Sequence, residues 1–124
     1  MTDPVAWKDV NGKQVLFINF KGLKGEPLIT AIARTMEFFE KTPPNKKEFL
    51  PILVDVQNSV IDSKAMEKFK AMTKGITGYK HKTAVLGVTA AKKVLMNAIN
   101  FLMGQEMQGF NTIDEAFDWL FSTK

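Results

Sequence analysis

The residues best suited to chemistry follow an apolar run near the middle of the chain. The segment 49–63 reads FLPILVDVQNSVIDS, so apolar residues prevail up to Asp55 and polar residues follow. A strand that is apolar on both faces is typical of the centre of a sheet covered by helices, and ligands or partners of such sheets collect at the strand carboxyl ends. We therefore predict a partner-binding or ligand-binding loop, whose candidate residues are Asp55, Gln57, Asn58, Ser59 and Asp62.

Local structure offers a second interpretation of the same residues. Asp55 can hydrogen-bond the backbone amides that follow it and so close the loop. Asp62 and Ser63 are both good N-cap residues for the helical pattern that begins there. Capping and partner binding therefore both remain open at this stage.

Catalytic and metal-binding chemistry is poorly supported by the composition. The chain has no cysteine and a single histidine, His81, which lies between two lysines. No nucleophile and acid are spaced to converge on His81, and no pair of histidines or cysteines has a spacing typical of metal ligands. Asp114 and Asp118 lie one turn apart on a predicted helix, where acids are commonly solvated. We therefore predict a protein that is not an enzyme and that has no metal or other cofactor.

The segment around Thr89 is a candidate anion site. Thr89 can cap a helix, and Lys92 and Lys93 then fall in its first turn. The helix dipole disfavours cations there by about 0.3–1 kcal/mol each, and a bound anion would offset that cost. The alternative is that both lysines are simply exposed.

Charge is distributed unevenly along the chain. The net charge is +4, and residues 64–93 hold eight lysines against Glu67 alone. This basic segment is either a set of solvated helix faces or a surface for an anionic partner. We do not expect a nucleic-acid partner, because the chain contains one arginine, Arg34, and arginine supplies most bidentate contacts to bases and phosphates.

Length and composition indicate one globular domain over residues 1–124. Apolar residues make up 45% and charged residues 24% of the chain, which is ordinary for a globular protein. No apolar run approaches the roughly 20 residues of a transmembrane helix, and the first residues lack the pattern of a signal peptide. We therefore expect a cytoplasmic protein.

Hydrophobic periodicity and turn residues predict alternating strands and helices. Asn11-Gly12 is typical of a tight β-hairpin, and Pro43-Pro44 ends the first helix. Alternation of this kind predicts an α/β domain with a mostly parallel central sheet of four to five strands, about four helices and an N-terminal hairpin. The predicted strands are 6–10, 14–20, 49–55, 82–88 and 107–110, and the predicted helices are 27–41, 62–74, 90–103 and 113–121. Thr112 and Glu115 have the form of a capping box at the start of the last helix.

The predicted helix 90–103 has more apolar surface than one core stripe requires. Ala91, Val94, Leu95, Ala98 and Leu102 form one face. Met96, Ile99 and Met103 form a second face, which we expect to be exposed in the monomer. Exposed apolar patches usually mark interfaces, so this second face predicts a contact with a partner or, most simply, a homodimer.

Three segments together resemble a known family. The strand, Asp55 and the loop to Asp62-Ser63, followed by KTAVLGVTAAKKVL and FNTIDEAFDWL, are similar to the STAS domain of anti-sigma-factor antagonists. The chain resembles more closely the small bacterial proteins described as STAS/CRAL-TRIO-like, which are mostly of unassigned function. The resemblance covers about residues 14–121.

This resemblance carries implications for regulation. In the antagonists, a serine that follows an aspartate at the start of the second helix is phosphorylated to control partner binding. Asp62-Ser63 is the matching dipeptide, so the resemblance implies Ser63 as the phosphorylation candidate, with Ser59 as a second one. The loop is about two residues shorter here than in the antagonists, and Lys64-Ala65 replaces the small residues that usually follow.

Two functional hypotheses result. The first is a non-enzymatic STAS-like module that binds a protein partner or itself and is regulated by serine phosphorylation. The second is a binding or carrier protein for a small apolar or anionic ligand such as a lipid, which the CRAL-TRIO-like resemblance implies.

Overall fold

A five-stranded sheet forms the centre of the computed structural model, which describes residues 3–76, 78–89, 93, 96, 97, 100 and 107–122. The strands lie side by side in the order in which they occur in the chain. The first strand is antiparallel to the second, and all other neighbours are parallel. The strands are β1 (Val5–Val10), β2 (Lys13–Asn19), β3 (Leu50–Asp55), β4 (His81–Leu86) and β5 (Met107–Phe110).

The predicted N-terminal hairpin is confirmed at Asn11-Gly12. These residues have φ angles of 53° and 84°, the left-handed conformation that a two-residue hairpin turn requires. The side chain of Asp9 accepts a hydrogen bond from the Gly12 amide at 2.9 Å. The turn therefore fixes the register in which Val10 pairs with Lys13.

The apolar run forms the central strand, as predicted. All six residues of β3 are buried, and β3 lies between β2 and β4 with Leu53 opposite Phe17 on one side and Ala84 on the other. A strand in this position has side chains packed on both faces, so its residues are apolar without alternation. Its carboxyl end at Asp55 lies level with Asn19 of β2 and Leu86 of β4.

Three helices are described, and two of their starts follow the predicted caps. They are α1 (Gly25–Lys41), α2 (Ser63–Lys74) and α3 (Ile113–Leu120). The Asp62 side chain accepts from the Ala65 amide at 2.9 Å, and the Thr112 hydroxyl accepts from the Glu115 amide at 3.2 Å. Of the helices in the described ranges, none has the length and apolar character needed to cross a bilayer.

Helices cover both faces of the sheet, as the sequence predicts. On one face, α1 and α2 pack over β2, β3 and β4, and Phe20 and Phe69 meet edge to face at 6.3 Å between ring centroids. On the other face, α3 packs Ala116 and Leu120 against Leu53. We call these the α1 face and the α3 face. The predicted α/β class, mostly parallel sheet and N-terminal hairpin are thus confirmed.

The predicted helix 90–103 lies largely outside the described residues. Residues 93, 96, 97 and 100 are helical, and the Lys93 amide donates to the Thr89 carbonyl at 2.8 Å. Met96 is buried in the core of the α1 face, so the prediction that Met96 is exposed at an interface is wrong. With two apolar stripes on one helix, the sequence did not reveal which stripe faces the sheet. Ile99 and Met103, the other interface candidates, are among the residues not described.

Candidate functional site

The carboxyl ends of the parallel strands bring most of the predicted site residues to one edge of the sheet. β3 ends at Asp55 and β4 ends at Leu86, and the segments that follow them lead into the loop 56–62 and to Thr89. α2 begins at the same edge with Ser63 as its first residue. The predicted position of the site, at the carboxyl edge of a parallel sheet, therefore agrees with the fold.

Asp55 closes the loop that follows β3. The Asp55 side chain is buried, and its Oδ1 accepts from the Gln57 amide at 2.9 Å. Asn58 then adopts a left-handed conformation, with φ of 58°, which turns the chain back. Asn58 is exposed and Gln57 is half-buried. The bond from the Gln57 amide agrees with the interpretation of Asp55 as a residue that closes the loop. Asn58, by contrast, has an exposed polar side chain that a partner could contact.

Ser59 does not fit the prediction that it is a phosphorylation candidate. Its side chain is buried, with 5% of its surface exposed. Its hydroxyl donates to the Val56 carbonyl at 2.7 Å, and its amide donates to the same carbonyl at 3.1 Å. A kinase needs an accessible hydroxyl, so this prediction is wrong for Ser59. The turn at Asn58, which the sequence alone did not reveal, directs Ser59 inward.

Ser63 is presented differently from Ser59. It is the first residue of α2 and is exposed. Asp62, also exposed, holds the helix start through its bond to the Ala65 amide. The first turn of α2 contains no acidic residue, and Lys64 Nζ lies 3.4 Å from Glu26 Oε2 of α1. Both groups of that ion pair are exposed, so it contributes little to stability and leaves Lys64 able to change partners.

Backbone hydrogen bonds join three loops at this edge. The Gly22 amide donates to the Gln57 carbonyl at 2.8 Å, and the Val56 amide donates to the Leu86 carbonyl at 3.0 Å. The Val60 amide donates to the Leu23 carbonyl at 3.1 Å. The loop after β3 is therefore held to both neighbouring loops, and its exposed side chains project from a fixed backbone.

Gly87 allows the close approach of two of these loops. Its φ is 84°, and a Cβ atom on this residue would lie 2.6 Å from the Cα of Gln57. Real Cβ atoms do not approach other carbon atoms so closely, so only glycine fits here without a shift of the loop. No sequence pattern predicts that Gly87, which directly follows β4, packs against Gln57.

Five exposed residues lie on this loop and at the start of α2. Val60 is an exposed apolar residue, with 55% of its surface exposed, and Asp62 and Lys64 are exposed charged residues. We call this set the edge surface, and its members are Asn58, Val60, Asp62, Ser63 and Lys64. It presents hydrogen-bonding, apolar and charged groups together, which suits recognition of a protein surface.

The predicted anion site at Thr89 stays a prediction. Thr89 and Lys93 are exposed, and a helical hydrogen bond joins their backbones. Lys92, the third residue of the candidate site, lies outside the described residues. Thr89 follows β4, so it belongs to the same edge of the sheet as Ser63.

His81 lies in β4, away from the edge surface. The imidazole is half-buried, and its Nδ1 is 3.0 Å from the hydroxyl of Thr83. His81 is at the amino end of β4, whereas the edge surface lies at the carboxyl ends of the strands. Across the described ranges, no three histidine, aspartate or glutamate side chains are grouped as metal ligands.

A pocket that the sequence did not indicate opens between the end of β2 and α1. Its volume is about 540 Å³. Arg34 and Lys21 bring positive charge to it, and Leu23 and Ala31 are among its apolar residues. Thr30 and Arg34 are one turn apart on α1, so the sequence could have predicted that these two residues share one face of the helix. It has no comparable signal for the other residues of the pocket. The residues that line the pocket are Asp3, Pro4, Asn19, Lys21, Leu23, Glu26, Pro27, Thr30, Ala31 and Arg34.

The described residues form an α/β fold with a mostly parallel five-stranded sheet, and this fold is similar to that of a solved structure. The chain is similar to an uncharacterised protein of the DUF3478 family from Shewanella loihica PV-4, whose crystal structure has a SpoIIAA-like fold. The TM-score is 0.66 at 16% sequence identity, and the match covers 94% of this chain and 91% of that one. No family model and no curated protein matches this chain. At this identity the similarity shows the fold alone, and the fold is SpoIIAA-like, as the sequence resemblance predicts.

Proposed function

We propose that this protein is a regulatory interaction module that binds a protein partner through the edge surface. The observation that carries the proposal is the exposure of Ser63 at the start of α2, directly after a loop whose backbone is hydrogen-bonded to its neighbours. A fixed loop loses little conformational entropy when a partner binds, which favours specific recognition. The SpoIIAA-like fold supports a role of this class.

The proposal includes regulation by phosphorylation of Ser63. A phosphoryl group adds about −1.5 to −2 charges at neutral pH and is favourable near a helix amino end. Lys64 follows Ser63 directly, and it can exchange its solvent-exposed ion pair with Glu26 for an ion pair with the phosphate. The carboxylate of Asp62 opposes this, because it is already negative and caps the same helix. Phosphorylation would therefore change the edge surface from nearly neutral to clearly negative, and partner affinity would change with it.

A non-enzymatic role is also part of the proposal. Polar side chains at the carboxyl edge of the sheet form hydrogen bonds with the backbone. Asp55 accepts from the Gln57 amide, and Asp62 accepts from the Ala65 amide. Ser59 donates to a backbone carbonyl. Groups used in this way support a rigid recognition loop better than they support acid–base chemistry. The proposal places the protein in the cytoplasm, where ATP-dependent kinases act.

A quantitative capture experiment tests the proposal. Tagged wild-type protein and the variant Ser63→Glu are used as baits in an extract of the source cells, and bound proteins are measured by mass spectrometry. The variant places a negative charge at the helix start, so we expect at least one specific partner to change its bound amount about tenfold or more.

The control for this capture experiment is Lys68→Gln. Lys68 is exposed on the same helix, and its replacement changes the net charge by the same −1 without altering the first residue of α2. If Ser63→Glu and Lys68→Gln capture the same proteins in the same amounts as the wild type, the edge surface is not a regulated partner site.

The pocket beside α1 favours a second candidate function, the binding of a small ligand. Its volume of about 540 Å³ lies within the range of about 300–1,000 Å³ that is usual for ligand pockets. Arg34 and Lys21 suit an anionic group, and the apolar residues suit a hydrocarbon body. Asp3 and Glu26 also line the pocket and reduce its positive potential. This function predicts that a small amphipathic anion is bound in stoichiometric amount when the protein is purified from its source.

A further inference from the structure

The first strand forms one edge of the sheet and has a neighbour on one side only. The Asn19 amide donates to the Pro4 carbonyl at 2.8 Å, so residues 4, 6, 8 and 10 direct their backbone groups toward β2. In an antiparallel pair, the intervening residues direct theirs the other way. Val5, Trp7 and Asp9 therefore present their N–H and C=O groups at the outer edge of β1.

The opposite edge of the sheet, at β5, is partly covered by a side chain. The Asn100 side chain donates to the Met107 carbonyl at 2.9 Å and accepts from the Met107 amide at 3.1 Å. An amide side chain bonded in this way imitates a neighbouring strand, and it occupies part of an edge only four residues long. In the described part of the chain, no side chain makes a comparable pair of bonds to β1. Over the described residues, β1 is thus the more open of the two edges.

The charged side chains of β1 do not protect its edge. Edge strands commonly carry charges that discourage pairing with another chain. Lys8, however, places its Nζ 4.9 Å from the centroid of the Phe17 ring on the α3 face. Asp9 bonds the Gly12 amide of its own hairpin. Both charges are held on the hairpin, and Trp7, which precedes them in β1, is 45% exposed.

We propose that β1 pairs antiparallel with β1 of a second copy of this chain, which joins the two sheets edge to edge. The pairing is centred on Trp7, so that Trp7 lies opposite Trp7 of the second copy and Val5 lies opposite Asp9. Each of these pairs uses residues whose backbone groups already point outward and exchanges two N–H···O bonds. This surface differs from the helix 90–103, which the sequence predicted as an interface.

Charge selects this register over its neighbours. In the Trp7-centred pairing, Lys8 lies opposite Ala6, and no like charges face each other. A pairing centred on Lys8 would place two lysines directly opposite, and a pairing centred on Ala6 would place Asp3 opposite Asp9. Like charges directly opposite destabilise a strand pair, whereas two aromatic side chains opposite each other stabilise it. Of these three registers, only the one centred on Trp7 places no like charges opposite each other.

Sedimentation velocity over a range of protein concentrations tests the proposal. Wild-type protein is expected to form a dimer as its concentration rises through the micromolar range. Trp7→Pro removes an outward N–H that the monomer does not use, so the fold should persist, as proline is tolerated on edge strands. We expect this variant to associate about tenfold more weakly or worse, and Trp7→Thr, which keeps the N–H, to fall between it and the wild type.

Cysteine cross-linking tests the register without relying on the stability of the proline variant. The natural chain has no cysteine, so Trp7→Cys, Ala6→Cys and Lys8→Cys each carry a single thiol. Opposite residues in a hydrogen-bonded pair have Cα atoms about 5.5 Å apart, which suits a disulfide. Under mild oxidation, Trp7→Cys should form a covalent dimer much faster than the other two.

Either of two results overturns this proposal. One is a wild-type protein that remains monomeric to high micromolar concentration. The other is cross-linking at Ala6→Cys or Lys8→Cys that equals or exceeds that at Trp7→Cys, since the register would then be different or absent.

Discussion

Replacement of Gly87 by alanine is expected to lower the free energy of unfolding by about 2–5 kcal/mol, because the change adds backbone strain to a steric clash. The φ angle of Gly87 is 84°, which residues with a Cβ atom rarely adopt, and the new Cβ would lie 2.6 Å from Gln57 Cα. The contact is with backbone and cannot be relieved by turning a side chain. The loop after β3 must therefore shift, and the edge surface shifts with it. Urea denaturation followed by circular dichroism measures the loss.

Gly12→Ala is the matched control for Gly87→Ala. Gly12 has the same φ angle of 84°, and a Cβ there would have no atom within 4 Å. Its replacement should cost about 1–2 kcal/mol, which is the conformational penalty alone. The difference between the two variants then isolates the contact with Gln57. Equal losses of stability would show that this contact does not hold the two loops together.

Replacement of Asp55 by alanine is expected to destabilise the protein by about 1–3 kcal/mol, because the Gln57 amide loses its acceptor in a part-buried position. Asp55→Asn retains a side-chain oxygen that can accept the 2.9 Å bond from the Gln57 amide, so it should cost less than about 1 kcal/mol. The same urea titrations measure both variants. If asparagine is as harmful as alanine, the negative charge of Asp55 matters more than its hydrogen bond.

The Asp55 variants also bear on function. We assign Asp55 a structural role, because it is buried and bonded to the loop that it supports. Asp55→Asn should therefore keep the partner-binding behaviour of the wild type, and Asp55→Ala should weaken it only to the extent that the loop moves.

Local patterns predicted those parts of the fold that depend on neighbours in sequence. The Asn11-Gly12 turn, the caps at Asp62 and Thr112 and the buried strand β3 each rest on a few consecutive residues, and each is confirmed. Alternation of strands and helices then left few ways to arrange a mostly parallel sheet. That arrangement also predicted that the loop after β3 lies at the carboxyl ends of the parallel strands.

Features that depend on distant residues could not be predicted. The burial of Met96 depends on which of two apolar stripes meets the sheet, and both satisfy the same helical period. The inward direction of Ser59 depends on the left-handed turn at Asn58. The pocket that joins Lys21 to Arg34 depends on how α1 lies beside the end of β2. Contacts of this kind are set by tertiary packing, for which a single sequence carries no periodic signal.

Native mass spectrometry of the protein purified from its own source, with mapping of modified residues, is the most direct test of the central claim. It reports bound ligand and covalent phosphate on the same molecules, so it separates the regulated module from the ligand carrier. Our account predicts that a fraction of the protein carries one phosphoryl group on Ser63 and that no small ligand is bound in stoichiometric amount. Protein that is unmodified at Ser63 under all growth conditions, with an amphipathic anion bound to every copy, would contradict it.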